Sequence, residues 1–284
     1  MPAVLRPLAE LPALLIQEAA QVDWVVLVGL QPSGQVVELV AAARAGGAVV
    51  LVVEPDPLRL EPLRQELKAE GLSEVSLVAD LLAAEAGEQC WYRYNDSRWT
   101  GTTPPERIQQ QRPNLQLISL ELRPALPLAD VLEQWPLLAE GQPAPGDGLL
   151  LVAAETAPAV LQGAGSWLRR MATVLVPSPQ ELDPELDPLL LAACLERQAS
   201  DPALLLWRRS PLLVLQREQL ELEQQRDQLT AERDGLTAER DALAADRDQI
   251  AAQKLELEQR LAQVNTELDE ILALLDAADP PADN

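Results

Sequence analysis

The sequence predicts a doubly wound, Rossmann-like α/β domain followed by a long helix that forms a coiled coil. Two apolar runs, WVVLVGL and AVVLVVEPDP, are typical of strands buried on both faces of a parallel sheet. Residues 212–279 contain no proline and a single glycine, Gly235, so one uninterrupted helix is expected there. Within that stretch an apolar residue recurs at every seventh position, which is typical of a coiled coil.

The first half of the α/β domain is predicted to alternate helices and strands with short connections. The elements are a helix over about 3–20, a strand over 24–30, a helix over 35–47, a strand over 48–57, a helix over 58–72 and a strand over 74–82. Glycines end both later helices, as expected of the residue that most easily leaves the helical conformation. This alternation is typical of a parallel sheet covered by helices.

The second half is predicted to add more strands and a further helix. Strands are expected over 89–95, 115–122, 148–155 and 172–178, with a helix over 158–171. Residues 179–211, rich in proline and leucine, are expected to form helical pieces. We therefore predict a Rossmann-like α/β domain over 1–180, a helical connector over 181–211, a coiled coil over 212–276 and a disordered tail over 277–284.

The heptad pattern of the last part predicts how two chains associate. The apolar positions are Leu215, Leu222, Leu229, Leu236, Leu243, Ile250, Leu257, Val264 and Ile271. They fit position d, which makes position a glutamine or basic from 219 to 254 and leucine at 261, 268 and 275. Position g holds Glu232, Glu239 and Asp246, which in a parallel dimer reach the arginines of the partner.

Because basic a positions disfavour trimers, we predict a parallel homodimer through 212–276 that is firmest over about 255–275. The alternative is a single solvated helix stabilised by Glu–Arg pairs four residues apart.

Composition excludes several kinds of site and partner. The chain has 45 acidic and 22 basic residues, a net charge of −23, so nucleic acids and anionic membranes repel it. It has no histidine, and its two cysteines, Cys90 and Cys194, form no CxxC motif. A Ser-His-Asp triad, a His-ligated metal site and a zinc ribbon are therefore excluded, and no metal is expected. Apolar runs of six to eight residues are shorter than the ~20 of a membrane span. We interpret the N-terminus as a helix, not a signal peptide, and expect a cytoplasmic protein.

Candidate cofactor residues lie where the predicted strands end, because a doubly wound sheet binds ligands there. Gly29 and Gly34 flank the first such loop, although no GxGxxG occurs and Pro32 removes one N–H donor. Glu54, 25 residues after Gly29, ends the second strand, where an acid can accept both ribose hydroxyls of an adenosine. Asp80 follows the third strand and is placed to contact an adenine ring. The alternative for Glu54 is a surface acid followed by a Pro-Asp-Pro turn, and the spacing favours neither role. The alternative for Asp80 is a solvated acid, which we favour over an adenine contact.

A second candidate region is the segment WYRYNDSRWTGTTPPERI, residues 91–108. It holds both tyrosines of the chain, two tryptophans and three arginines, a composition that can bind a sugar or an anion. The candidate substrate residues are Tyr92, Tyr94, Asn95, Asp96 and Arg98. The interpretation that we favour is a structural loop packed on the sheet edge, with Arg93 and Arg98 paired to local acids.

These motifs resemble a known family. The order VVLVGLQPSG, VVLVVEPDP, VSLVAD is similar to a class I methyltransferase, and DGLLLVAAETAPAVLQGAGSWLRRMATVLVPS resembles the closing portion of FkbM-type methyltransferases. The segment LRPALPLADVLEQ resembles the element that precedes that portion, and the resemblance covers about residues 22–178. It implies a Rossmann-like methyltransferase fold, S-adenosylmethionine as cofactor, and methyl transfer to a hydroxyl of a glycan or related small molecule.

The sequence departs from the family in both of its binding turns. Leu27 stands where the family has an acid two residues before the first glycine, and this turn is one residue longer. The family's distal K-I-D-x-x-G aligns with residues 150–155, where its lysine, aspartate and glycine are all replaced. No residue stands out as the base that methyl transfer usually requires.

Three functions are compatible with this sequence. The one that the departures favour is a degenerate methyltransferase-like domain that serves as a dimeric binding or assembly module. The second is an active S-adenosylmethionine-dependent O-methyltransferase acting on a glycan or related small molecule. The third is a purely structural coiled-coil protein.

Overall fold

The computed structural model describes residues 5–30, 33–136, 146–177, 186–198 and 204–278. The chain divides into two compact units, Met1–Leu215, which we call the α/β unit, and Gln216–Asn284, which we call the helical unit. Residues 279–284 of the predicted disordered tail, and the start of the first predicted helix at 3–4, lie outside the described residues.

The helices and strands of the α/β unit follow the predicted alternation in its first half. They are α1 (Leu5–Ala19), β1 (Trp24–Val28), α2 (Ser33–Ala45), β2 (Val49–Val53), α3 (Pro57–Ala69), β3 (Ser76–Val78), β4 (Leu81–Leu82), β5 (Gly87–Tyr94), α4 (Pro105–Gln111) and β6 (Leu117–Leu126). The second half contains α5 (Leu128–Gln134), β7 (Gly148–Val152), α6 (Ala157–Ala164), β8 (Met171–Pro177), α7 (Leu186–Ala192), β9 (Leu195–Arg197) and β10 (Leu204–Arg209).

The main sheet has the strand order β3-β2-β1-β7-β8-β10-β9. Its first five strands are parallel, and Val26 of β1 lies opposite Leu51 of β2 and Leu150 of β7. Strand β10 runs antiparallel to both of its neighbours. The strand order reverses beside β1, as it does in a doubly wound sheet. The predicted doubly wound, Rossmann-like α/β fold is confirmed by this order.

Strand β1 is buried on both faces and divides the core into two parts. Trp24, Val26 and Val28 pack on the side of α5 and α6, whereas Val25 and Leu27 pack on the side of α1 and α2. A strand that is buried on both faces is apolar at successive positions, whereas a strand with one face in water alternates apolar and polar residues. This explains why β1 appears in the sequence as a continuous apolar run.

Trp24 is the large side chain around which one part of the core packs. Its ring contacts Trp135 and Trp167 edge-on, with centroid distances of 6.4 and 6.2 Å. Its Nε1–H donates to the carbonyl oxygen of Gly146 at 3.0 Å. A Cβ atom at Gly148, the partner of Trp24 in β7, would lie 2.3 Å from the indole ring. Glycine is therefore required there for space.

The strand predicted over 74–82 is wrong as a single element. Residues 76–78 pair with β2 in the main sheet, whereas residues 81–82 pair with β6 in a second sheet of order β4-β6-β5. The chain changes sheets at 79–80, which local sequence patterns do not specify. The predicted strands over 24–30, 48–57 and 148–155 also end earlier, at Val28, Val53 and Val152.

The prediction that 179–211 forms only helical pieces is wrong for its second half. Strands β9 and β10 lie there, and Trp207 of β10 pairs with Val174 of β8. Leu205 and Trp207 are buried at alternate positions because they point to the face of the sheet that packs in the core around Trp24. Strand β10 also covers what would otherwise be an open edge of β8. The compact unit accordingly extends through Leu215, beyond the boundary predicted at 180.

The predicted long C-terminal helix is confirmed. Helix α8 runs from Pro211 to Ala278, 68 residues, or about 100 Å at 1.5 Å per residue. The d-position side chains from Leu229 to Leu257 are 64–69% exposed. The a-position arginines pair with the following aspartates, as in Arg233–Asp234 at 2.6 Å. Association through this face stays a prediction. None of the helices in the described residues combines the length and apolar character needed to cross a membrane.

Replacing Gly148 by alanine tests the packing of Trp24. The new Cβ would overlap the indole ring, so we expect the free energy of unfolding to fall by about 1–3 kcal/mol. The matched control is Gly87→Ala, at the start of β5, where nothing lies within 4 Å of the added atom. Urea denaturation measures both, and an equal effect of the two changes would contradict this account.

Candidate functional site

The candidate site lies at the carboxyl ends of β1, β2 and β7. Gly29 follows β1, Glu54 follows β2 and Ala153 follows β7. The strand order reverses between β1 and β7, and ligands of open α/β sheets bind outside such a point. The structure therefore brings the predicted Gly29 and Glu54 to the same edge of the sheet.

Gly29 has a conformation and surroundings that only glycine suits. Its φ of +65° lies in the left-handed region, and an added Cβ would lie 3.3 Å from Oγ1 of Thr156. Its N–H donates to the carbonyl oxygen of Val53 at 3.2 Å, which holds the turn beside β2. Gly34 lies in the first turn of α2 with open space around it. Residues 31–32 of this turn, including Pro32, lie outside the described residues.

Glu54 is enclosed by the turn that follows it. Its side chain is 6% exposed, and Oε1 accepts the backbone N–H of Asp56 at 2.9 Å. Nη1 of Arg59 lies 3.7 Å from the same oxygen. Asp56 in turn accepts the N–H of Leu58 at 3.1 Å and caps α3. The Pro-Asp-Pro turn thus supplies Glu54 with polar partners from the chain itself.

Burial dominates the electrostatics of Glu54. Loss of solvation raises the pKa of its carboxyl, and the Asp56 N–H and the Arg59 guanidinium oppose that shift. Removing a carboxylate from water disfavours its charged form. The ionised form of Glu54 therefore costs folding free energy at neutral pH despite its partners.

Two arginines join this turn to the second sheet and its neighbouring loop. Nη2 of Arg59 donates to the carbonyl oxygens of Ser97 and Thr100, the latter at 3.0 Å. Nη1 of Arg123, on β6, donates to the carbonyl oxygen of Pro55 at 2.7 Å. The Arg123 guanidinium also lies over the ring of Trp91, 5.0 Å from its centroid. The segment that contains Ser97 and Thr100 is thereby held against the Glu54 turn.

The turn after β7 contains little that could hold a cofactor. The Ala153 N–H donates to the carbonyl oxygen of Val28 at 3.0 Å, which ties this turn to β1. Thr156 donates its hydroxyl to the Ala153 carbonyl oxygen at 3.2 Å. Glu155 is exposed. Ala153 and Ala154 of this turn have no polar side-chain atom, and Val152, the last residue of β7, stands at the position aligned above with the aspartate of the family pattern.

Asp80 lies in the connection between β3 and β4 and is half-buried. It follows the strand next to β2, so it shares the carboxyl edge of the sheet with Glu54. Contact of Asp80 with an adenine ring stays a prediction.

The predicted substrate residues mostly support the loop that contains them. The Tyr94 hydroxyl donates to the carbonyl oxygen of Thr103 at 2.9 Å, and Oδ1 of Asn95 accepts the Gln116 N–H at 3.0 Å. Asp96 accepts the Arg98 N–H and pairs with its guanidinium at 2.6 Å. The side chain of Arg98 thus lowers the pKa of the Asp96 carboxyl.

Tyr92 packs beside the small cluster of Tyr94, Ile108 and Leu115. The sequence predicts that Arg93 pairs with a local acid. In the described structure, however, its Nε is buried and has no hydrogen-bond partner. These contacts fit a structural loop.

Arg59, Arg123 and Trp91 are site residues that the sequence did not reveal. Arg59 has a local signal, because it follows the helix-capping Asp56 by three residues and can pair with it across one turn. Arg123 has none, since its partner Pro55 is 68 residues away in the chain.

Comparisons with known proteins show only distant likeness. No protein-family model matches the sequence, and no curated protein matches it. Among solved structures, a ribosomal protein L11 methylase from Lactobacillus delbrueckii subsp. bulgaricus is 13% identical, with a TM-score of 0.36, over 72% of this chain and 79% of its own.

A methyltransferase from Geobacter sulfurreducens is 15% identical, with a TM-score of 0.36, over 70% and 77% of the two chains. An RNA methyltransferase from Salinibacter ruber, in complex with S-adenosyl-L-homocysteine, is 12% identical, with a TM-score of 0.31, over 74% and 95%. These values are too low to bear on the activity of this chain, so its fold is assigned from its own strand order.

Replacing Glu54 by glutamine tests the electrostatics of the enclosed carboxylate. Because the folded pKa is raised, ionisation costs stability in full above that pKa, and the cost declines as the pH falls and is gone below the lower pKa of the unfolded chain. We expect Glu54→Gln to raise the free energy of unfolding at about pH 7, and the gain to shrink as the pH falls through the raised pKa. Thermal denaturation against pH measures the difference from wild type.

The control for this measurement is Glu61→Gln, on the exposed side of α3, whose pair with Arg64 is open to solvent. Exposed pairs contribute little, so this variant should follow wild type at every pH. A Glu54→Gln protein less stable than wild type at pH 7 would contradict the account, because it would mean that Arg59 outweighs burial.

Proposed function

We propose that this chain is a divergent FkbM-type methyltransferase-family protein whose α/β unit has lost methyl transfer, and that it acts as a homodimeric binding or assembly module. The observation that carries the proposal is the enclosed carboxylate of Glu54, which is 5% exposed as a residue and already accepts the Asp56 N–H. The family's cofactor would be S-adenosylmethionine.

An adenosine ligand needs this carboxylate to be open. In a doubly wound fold the acid after the second strand accepts ribose hydroxyls. Here one oxygen of Glu54 faces Asp56 and Arg59, and Arg59 also holds the Ser97 and Thr100 carbonyls beside it. Ribose binding would require this set of contacts to break. The free energy of those contacts opposes cofactor binding.

The turn after β7 supports the same conclusion. Methyl transfer requires the acceptor oxygen to be held in line with the methyl group and usually a base to take its proton. In this turn Ala153 and Ala154 offer neither a base nor a hydrogen-bonding side chain, and Glu155 faces solvent.

Helix α8 supports association with a second copy of the chain. Its d-position leucines form a continuous exposed apolar row, and burying such a row is what drives coiled-coil formation. Parallel helices bring Glu232, Glu239 and Asp246 of one chain near the a-position arginines of the other. Antiparallel helices would bring these acids near each other instead, so charge favours the parallel homodimer through 212–276.

An active S-adenosylmethionine-dependent O-methyltransferase acting on a glycan or related small molecule is the second candidate. It is favoured by the turn at Gly29, whose left-handed backbone lies beside the end of β2, hydrogen-bonded to Val53. Gly29, Gly34, Glu54 and Asp80 would then hold the cofactor. A purely structural coiled-coil protein, the third candidate, would need no ligand at the sheet edge.

Calorimetric titration of the full chain separates these candidates. With S-adenosylmethionine or its demethylated product, we expect no heat and no thermal shift at millimolar ligand, because Glu54 is already engaged. Micromolar binding that Glu54→Ala abolishes, and that the exposed-site control Glu155→Ala retains, would overturn the proposal in favour of the active enzyme.

A single cysteine at the centre of α8 tests the dimer. In a parallel, in-register coiled coil, position 236 faces its own copy, so Leu236→Cys should give a disulfide-linked two-chain species on a non-reducing denaturing gel. Ala238→Cys, at the outward f position, is the matched control and should stay single. Equal yields from both variants, or none from Leu236→Cys, would contradict the parallel dimer.

A further inference from the structure

The last two heptads of α8 differ chemically from the rest of its apolar row. From 226 to 254 position a is arginine or lysine and position d is leucine or, at 250, isoleucine. From 261 onward both positions change: Leu261 and Leu268 replace the cationic residues at position a, and the β-branched Val264 and Ile271 occupy position d. All four side chains are exposed, so each is available for a contact with another helix.

The apolar surface is also wider at this end. Leu272 at position e and Leu274 at position g are exposed and flank the row formed by positions a and d. In the preceding heptads position e is threonine, alanine, glutamate, glutamine or asparagine, and position g is always polar or charged, as in Thr237 and Glu239. A two-stranded coiled coil buries positions a and d and leaves e and g at its margins. Two helices alone would therefore leave Leu272 and Leu274 partly in water.

The identity of the a and d residues sets the number of helices. β-Branched residues at a with leucine at d favour two strands, whereas leucine at a with isoleucine at d favours higher oligomers. An apolar surface that includes e or g as well as a and d is the pattern of a helix in a bundle core. Both features of residues 261–274 indicate more than two helices.

We propose that residues 261–274 form a four-helix contact that joins two homodimers of this chain into a tetramer. The proposal rests on the proposed function, because it takes the parallel dimer as its building block. A second dimer is the occupant that fits, since each of its helices presents the same leucine and β-branched layers. The cationic a positions from 226 to 254 disfavour a crowded core, so the four-helix contact is confined to the C-terminal end.

Sedimentation equilibrium of the full chain measures the oligomer directly. The chain mass is 31.0 kDa, and we expect a species of about 124 kDa, four times that mass, at tens of micromolar protein. The test variant exchanges the residue types of the two positions: Leu261→Ile, Val264→Leu, Leu268→Ile and Ile271→Leu. It keeps apolar side chains at every layer but restores the two-stranded pattern, so its mass should fall by half with helix content unchanged by circular dichroism.

The control variant is Leu255→Ile, an exposed b-position leucine of the same helix, which should remain a tetramer. A wild-type mass of two or three chains would overturn the inference, as would a tetramer that persists in the exchanged variant. A two-chain mass together with the disulfide at Leu236→Cys would leave the proposed dimer intact, whereas a single-chain mass would overturn both.

Discussion

Burial of β1 on both faces is the constraint on which the α/β unit depends. The strand pairs with β2 on one side and β7 on the other, and its side chains alternate between two separate parts of the core. The strand order reverses beside β1, and ligands of a doubly wound fold bind at such a point. The turn at Gly29 therefore lies at the position of a ligand site. The packing of Trp24 against the space left by Gly148 then fixes where β7 lies.

At the same edge of the sheet, Glu54 makes contacts with the chain itself. Glu54 has the location of a ribose-binding acid, yet its carboxylate joins the turn at Asp56, the first turn of α3 and, through Arg59, the loop at Ser97 and Thr100. Arg123 adds a link from the second sheet to Pro55. These links connect segments that are 38 to 68 residues apart in the chain. The hydrogen bonds of Arg59 and Arg123 hold these segments together at the edge of the sheet that contains Glu54.

The structure of the helical unit depends almost entirely on residues that are close together in the sequence. Proline-free sequence determines that α8 is continuous, and the heptad period determines which face is apolar. Charge and side-chain branching along that face then distinguish two stretches of one helix. The cationic stretch around Arg233 and Arg240 favours a coiled coil of two helices. The stretch from Leu261 to Leu274 favours a bundle of more than two helices. One helix can thus encode two successive steps of assembly.

The sequence alone was sufficient for the fold class, the first three main-sheet strands in outline and the long helix, since apolar runs and heptads depend on residues close together in the chain. Only the tertiary structure revealed that 76–78 and 81–82 belong to different sheets, and that Leu204–Arg209 forms a strand that covers the edge of β8. It also brought the guanidinium of Arg59 to 3.7 Å from the carboxylate of Glu54, a contact that the spacing of the strands did not indicate. The physical reason is that edge pairing and salt bridges depend on partners brought together by folding, which no local pattern specifies.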